Sequence, residues 1–381
     1  MGDKKEDLTV SAVLRRWEAS LSGEGVGLRG RLWDTMRGTT PAVCLTLGLM
    51  CMVLTGVGVM GRTLGSQGLV SSLVDMVYAV SLLGCAMSQL FFAQNRKDVQ
   101  AMLVRLHEVA TELEHDLEGP EHRQERAELS LSARSAHKWF VGMRVYATLA
   151  AVSVMLPHFT TLKPVPAVWP SHPALDPPLA IIFALSGNSC CIAYSEFLSL
   201  QLVATISSAG MYRALGARLQ RAVGKDEELE SVARLHGELN SVATVQDALF
   251  SSYLPFYLLP PLGGTALATC GFLYGAFSSN FMSLVPQIFI IFMPLCLCGD
   301  DLQQTSGETL SLCGYSGNWL DWPPRARRLL HCVMARGTRP QLVYVKAFGH
   351  LDRKACLSVL KTWFSFLQTL TNLSGISPDG H

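Results

Sequence analysis

Seven stretches of this chain, 41–60, 68–93, 139–159, 179–207, 248–277, 281–298 and 355–373, are mostly apolar over about 20 residues, the length that crosses a bilayer as a helix. Inside lipid, backbone groups have no water to bond, so a spanning segment must be a helix or part of a closed barrel. Continuous apolar runs, without two-residue alternation, select the helix. The composition agrees. Hydrophobic residues make up 49% and charged residues 16%, against roughly 25% charged in soluble domains. The expected fold is an all-α membrane protein with seven transmembrane helices.

The Lys and Arg residues orient it. Lys4, Lys5, Arg15, Arg16, Arg29, Arg31 and Arg37 precede the first stretch, and Arg96, Lys97, Arg105, Arg123, Arg126, Arg134 and Lys138 lie between the second and third. Arg213, Arg218, Arg221, Lys225 and Arg234 separate the fourth from the fifth, and Arg325, Arg327, Arg328, Arg336, Arg339 and Lys346 the sixth from the seventh. The opposite loops offer only Arg62 and Lys163. Basic loops stay in the cytoplasm, so the amino terminus is expected inside and, with an odd span count, the carboxyl terminus outside. Residues 1–38 carry both signs of charge and no apolar core, so no signal peptide is expected there.

Several function classes lack their signatures. There is no Walker loop or nucleophile elbow, so an enzyme is not expected. A net charge of +1 gives no sign of a nucleic-acid partner. The 11 cysteines sit mostly in apolar runs, and Cys296-Leu-Cys298 has no second pair to complete a metal site. Neither metal nor cofactor is expected. An inverted-repeat transporter would show matched interrupted spans, but Pro255, Pro260 and Pro261 have no counterpart in the first half. A G-protein-coupled receptor is the alternative seven-span class; it has the opposite orientation, and its Asp-Arg-Tyr and Asn-Pro-x-x-Tyr signatures are absent.

The long cytoplasmic connections carry helical stripes. Val99, Met102, Leu103, Leu106, Val109, Leu113 and Leu117 form one; Leu229, Val232, Leu235, Leu239, Val242, Val245 and Leu249 form another. Their polar faces mix acids with bases, which favours spans continuing into a cytoplasmic helical bundle over helices lying on lipid.

The last eighty residues resemble the insect odorant receptors. The resemblance rests on Gly299 and Ser306, Tyr315 and Trp319, Arg327 and Arg328 within WPPRARRLLHCVMARGTRP, Met334, Arg336 and Pro340, then Phe348, Leu360 and Lys361. His236 and Phe250-Ser251 fit upstream. The tail departs from the family's Ser-Tyr-Ser-Tyr-Phe, reading Thr362-Trp363-Phe364-Ser365-Phe366-Leu367. The resemblance implies a subunit of an odorant-gated, non-selective cation channel in the plasma membrane of an olfactory neuron. It implies assembly as a tetramer with a shared co-receptor, Orco. A gustatory-type channel, working without the co-receptor, shares the topology; the Tyr315/Trp319 and Arg336/Pro340 spacings favour the odorant branch.

On that reading the chain divides into a cytoplasmic segment (1–40), six spans with pocket and extensions (41–299), a cytoplasmic anchor (300–348), a pore helix (349–373) and an extracellular tail (374–381). The anchor residues are Tyr315, Trp319, Arg327, Arg328, Leu330, Met334, Arg336 and Pro340. Leu329, Leu330, Val333 and Met334 are expected to face neighbouring subunits. Pro323 and Pro324 open the anchor helix, where a missing N–H costs nothing. Leu367, Leu370, Thr371 and Asn372 are the pore and gate candidates. Asn372-Leu-Ser374 is a sequon, too near the membrane end for glycosylation to be expected. An odorant pocket should be apolar, each buried methylene contributing about 0.8 kcal/mol. Its candidates are Met76, Tyr78, Met155, Phe183, Gly187, Tyr274 and Phe281. Asp75, Arg144 and Glu196 lie at membrane depth. Arg144 is expected to snorkel, Glu196 to be neutralised or to find a hydroxyl such as Ser195, and Asp75 to reach water.

Overall fold

The computed structural model describes residues 9–22, 69–115, 117, 119–161, 176–222, 226–273, 286–316, 319–346 and 348–373. They form α1 (Val10–Ser22), α2 (Leu69–His115), α3 (Arg123–Thr161), α4 (Asp176–Arg221), α5 (Asp226–Phe250), α6 (Leu254–Leu259), α7 (Thr265–Leu273), α8 (Met293–Gln304), α9 (Leu310–Ser316), α10 (Pro324–Gly337) and α11 (Arg353–Leu373). A two-stranded antiparallel hairpin, β1 (Tyr344–Val345) and β2 (Gly349–His350), sits between α10 and α11, with Tyr344 opposite His350.

The second, third and fourth apolar stretches do continue as unbroken helices. α2 has 47 residues and α4 has 46. At 1.5 Å per residue each runs about 70 Å, roughly twice a bilayer's hydrocarbon thickness. Val99, Met102, Leu103, Leu106, Val109 and Leu113 are all buried, as are Leu229, Val232, Leu235, Leu239 and Val242 on α5. Their extensions thus pack as a bundle within the chain. α1, to which the sequence reading assigns no helix, covers part of it. Trp17 meets Phe140 edge-on at 5.6 Å, and the Glu114 carboxylate accepts the Val10 N–H at 2.7 Å and the Ser11 N–H at 3.3 Å. An acidic group at orphan N–H donors is favourable to the helix dipole.

α3 and α4 pack side by side. A Cβ on Gly210 would lie 2.3 Å from the Ser132 side chain, so the glycine sets the approach. The Ser132 hydroxyl donates to the Ile206 carbonyl at 2.9 Å. Towards the other end, Arg144 does not simply snorkel: its Nε donates to Glu196 Oε1 at 2.9 Å and its guanidinium lies 4.1 Å from the centre of the Phe140 ring. Ser195 turns away from Glu196 and donates to the Met143 carbonyl at 3.3 Å. The charge of Glu196 is met by a base from the neighbouring helix, which a single helix cannot reveal.

The fifth apolar stretch is broken where its prolines remove N–H donors. α5 ends at Phe250, a turn follows, and after α6 the chain makes a π turn at Pro260–Gly264. The Thr265 hydroxyl donates to the Pro261 carbonyl at 2.6 Å. Two more π turns, Ile288–Phe292 and Thr305–Thr309, flank α8. Such turns are often found at functional sites.

Among the described residues no helix is both long and apolar enough to cross a membrane. The first expected span, 41–60, lies outside them, and so do 274–285; the side chains near the start of α2, the end of α3 and the start of α4 are also largely undescribed.

Candidate functional site

The C-terminal motif residues converge on one piece of architecture. Gly299 and Ser306 are two helical turns apart and share a face. A Cβ on Gly299 would sit 2.2 Å from the Leu351 carbonyl oxygen, so the α8 backbone and the segment entering α11 touch. Ser306 accepts the Gln341 N–H at 2.9 Å and donates to the Leu302 carbonyl at 2.7 Å. Arg353 pairs with Asp300 at 2.8 Å. The hairpin before α11 is thereby pinned to α8. Phe348 completes the seat, edge-on to Phe292 at 6.0 Å. The Lys346 N–H donates to the Ser251 carbonyl at 3.2 Å.

α10 begins at Pro324 with Pro323 as its N-cap, as expected from the paired prolines. The sequence reading turns Leu330 and Val333 to neighbouring subunits. In the fold both are buried in their own chain. Leu330 and Met334 pack where Gly314 lacks a Cβ, and Pro340 rests on Gly307. The stripe looks inward because α9 and α5 already offer it an apolar bed. Outward, Leu312 (67% exposed), Tyr315 (61%) and Leu320 (69%) make an apolar surface. Tyr315 and Trp319 meet edge-on at 6.3 Å. Arg327, Arg328 and Arg336 are exposed, while Arg325 pairs with Glu230 on α5.

On α11, Leu367, Leu370 and Thr371 are half-buried and Asn372 is exposed. The Thr371 hydroxyl donates to the Leu367 carbonyl one turn back, at 2.9 Å. Its proton is given to its own helix, while the oxygen keeps its capacity to accept. Trp363 lies edge-on to Phe289 at 6.4 Å.

A family model described as 7tm Odorant receptor matches residues 69–364. The chain belongs to the 7tm odorant receptor family. Among solved structures, the fold is similar to that of the insect olfactory receptor OR5 from Machilis hrabei, with a TM-score of 0.75 at 14% identity, covering 96% of this chain and 97% of that one. A second structure of the same receptor, in complex with eugenol, gives a TM-score of 0.75 at 14% identity over 94% and 97%. The odorant receptor fold is all-α, and neither family nor fold is that of an enzyme.

Of this receptor's odorant candidates, Met76 and Tyr78 lie on α2, Met155 on α3, and Phe183 and Gly187 on α4, with side chains outside the described set. Tyr274 and Phe281 lie outside the described residues altogether. Nearer the middle of the molecule stands an aromatic cluster that the sequence reading did not single out. Phe91 meets Phe197 at 4.8 Å, Phe250 at 5.2 Å and Tyr253 at 5.1 Å. Tyr194 stacks on Tyr257 at 5.4 Å and donates to its carbonyl at 2.7 Å. The signal was present in aromatic residues of three apolar stretches, but register between helices decides whether they meet.

His236 is 3% exposed and beside Tyr212, ring centres 6.0 Å apart. Burial, then the Arg336 charge, lowers its pKa from 6.5 to about 4. The unfolded chain therefore binds more protons between those values, so stability falls as pH drops from about 6.5 to about 4. Thermal unfolding of the purified receptor over that range should show the loss, and His236→Gln should flatten it. Leu330→Ala should cost about 2–5 kcal/mol by cavity formation. Arg327→Ala or Arg328→Ala should stay within about 0.5 kcal/mol. Unfolding midpoints of the three variants measure the contrast.

Proposed function

We propose that this receptor is a subunit of an odorant-gated, non-selective cation channel, with seven spans, its amino terminus in the cytoplasm and its carboxyl terminus outside. Family membership over residues 69–364 is the observation that carries the reading. The receptor binds a small apolar volatile among the outer halves of spans two to six, where the sequence places Met76, Tyr78, Met155, Phe183, Gly187, Tyr274 and Phe281. That the structural neighbour was solved with eugenol supports a ligand of this size. Val141, Val145, Leu149 and Val152 on α3 are 44–65% exposed and follow one helical face; lipid is the solvent that suits such a stripe. The receptor resides in the plasma membrane of olfactory neurons and assembles with Orco in a tetramer. The exposed Leu312, Tyr315 and Leu320, with Trp319, meet other subunits in the anchor.

α11 lines the pore, with Leu367, Leu370, Thr371 and Asn372 at its outer end. Odorant dilates that end only to the extent that it binds the open state better than the closed one. Because the Thr371 hydroxyl is returned to Leu367, Thr371→Val should leave odorant-evoked current within about twofold, whereas Thr371→Asp should hold the ring wet and raise resting current. The reading as a whole is tested by co-expression with Orco under a broad volatile panel. Odorant-evoked cation current from the pair, and silence from this chain alone, are expected. Current without the co-receptor would favour the gustatory-type alternative.

A further inference from the structure

α5 and α10 leave a groove of about 380 Å³ between them, bordered by His236, Gly237, Asn240, Ser241, Cys332 and Arg336. Its polar groups are weighted towards donors. Asn240 Oδ1 accepts from Tyr212 at 2.9 Å and from Gln341 Nε2 at 2.8 Å. Its Nδ2 is buried with no partner, in a residue 5% exposed. With less than 1 Å² of accessible surface, that amide donor lies behind the groove wall. His236 is neutral at cellular pH and keeps one ring N–H. Arg336 is exposed and, among the described residues, has no carboxylate partner, while Arg234 has Glu112 and Arg325 has Glu230. Gly237 lies inside α5, where glycine is costly. A Cβ there would meet nothing within 4 Å, so no packing within the chain accounts for it. Open space, a cation and a side-chain hydroxyl share one groove.

We propose that this groove binds a phosphate-bearing ligand, whose oxygens accept from the Arg336 guanidinium and the Ser241 hydroxyl. The planar guanidinium fork matches phosphate in two parallel hydrogen bonds. The volume leaves room for a sugar-sized body attached to the phosphate. Asn240 lies eight residues before the fifth apolar stretch begins at Ala248, about 12 Å along the helix. A soluble phosphate ester reaches that depth more readily than a lipid headgroup does, and the two sources share the chemistry.

Cys332 is the exposed thiol among the described cysteines and borders the groove, so it reports occupancy. Maleimide modification of Cys332 is followed by peptide mass on the full-length receptor, alone and in complex with its co-receptor. The probes are inorganic phosphate, inositol trisphosphate, and phosphatidylcholine vesicles with or without phosphatidylinositol bisphosphate. At ten times its Kd a bound probe slows modification about tenfold. Arg336→Gln, which removes the cation, and Gly237→Leu, which fills the groove, abolish the protection; unliganded unfolding midpoints verify that both fold. Protection by inositol trisphosphate assigns a soluble ester, and protection by the bisphosphate vesicles alone assigns a lipid headgroup. Unchanged modification with every phosphate, or protection that survives both substitutions, overturns the proposal. So does a thiol already shielded in the co-receptor complex and open in the isolated chain, which would give the groove to a subunit contact.

Discussion

Gly299→Val abolishes recovery of folded receptor. The new Cβ would start 2.2 Å from the Leu351 carbonyl oxygen, and the contacting atom is backbone, with no rotamer to move. Overpacking costs about 1–3 kcal/mol where side chains can yield. Here the hairpin must leave α8, and with it go the Ser306–Gln341 hydrogen bond and the Arg353–Asp300 pair. A loss at or above the upper end of that range is enough to unfold a marginal protein. Fluorescence-detected gel filtration of a tagged receptor measures it: the monodisperse peak disappears for Gly299→Val and persists for Ser306→Ala, which leaves the backbone approach intact. A normal peak for Gly299→Val would mean that α8 and the α11 entry are not in contact.

Arg144→Ala destabilises the receptor more than Glu196→Ala does. The Glu196 side chain is 10% exposed and that of Arg144 is 39%. Removing the arginine strands a buried carboxylate, whereas removing the glutamate leaves a guanidinium that reaches water and still lies over Phe140. Breaking a buried pair costs about 3–5 kcal/mol; the arginine deletion should approach that range and the glutamate deletion fall to about half. The exchange Arg144→Glu with Glu196→Arg should recover part of the loss. Unfolding midpoints in detergent give the order. Equal losses, or a larger one for Glu196→Ala, would show that the pair is held by something other than burial of the acid.

The helices were legible because burial acts on one face at a time. Val99 to Leu113 and Leu229 to Val242 repeat at helical spacing, and all of the stripe residues named for the bundle in those two runs are buried. The C-terminal motif was legible as spacing but not as mechanism. Gly299 and Ser306 read as a seven-residue repeat, and only the fold shows that both face the hairpin ahead of α11. What the sequence could not supply is register between distant helices. Arg144 and Glu196 stand 52 residues apart, and nothing in either helix aligns them. The same gap hid the Phe91, Phe197 and Phe250 cluster. The direction of α10 differs from the expectation for a related reason: its amphipathic stripe fixes that Leu330 and Val333 are covered, but not whether the cover is another subunit or Gly314 and α5 of the same chain. The prolines at 255, 260 and 261 marked an interruption, and the π turn at Pro260–Gly264 is its realised form.

In the proposed channel, α11 borders a water-filled pore opened by an odorant. An Asn372→Cys receptor co-expressed with Orco tests it directly, with a membrane-impermeant thiol reagent applied from outside during an odorant response. The current should fall and not recover on washing, while the unsubstituted complex is unaffected. An odorant-evoked current that the reagent leaves unchanged in the Asn372→Cys complex would contradict it.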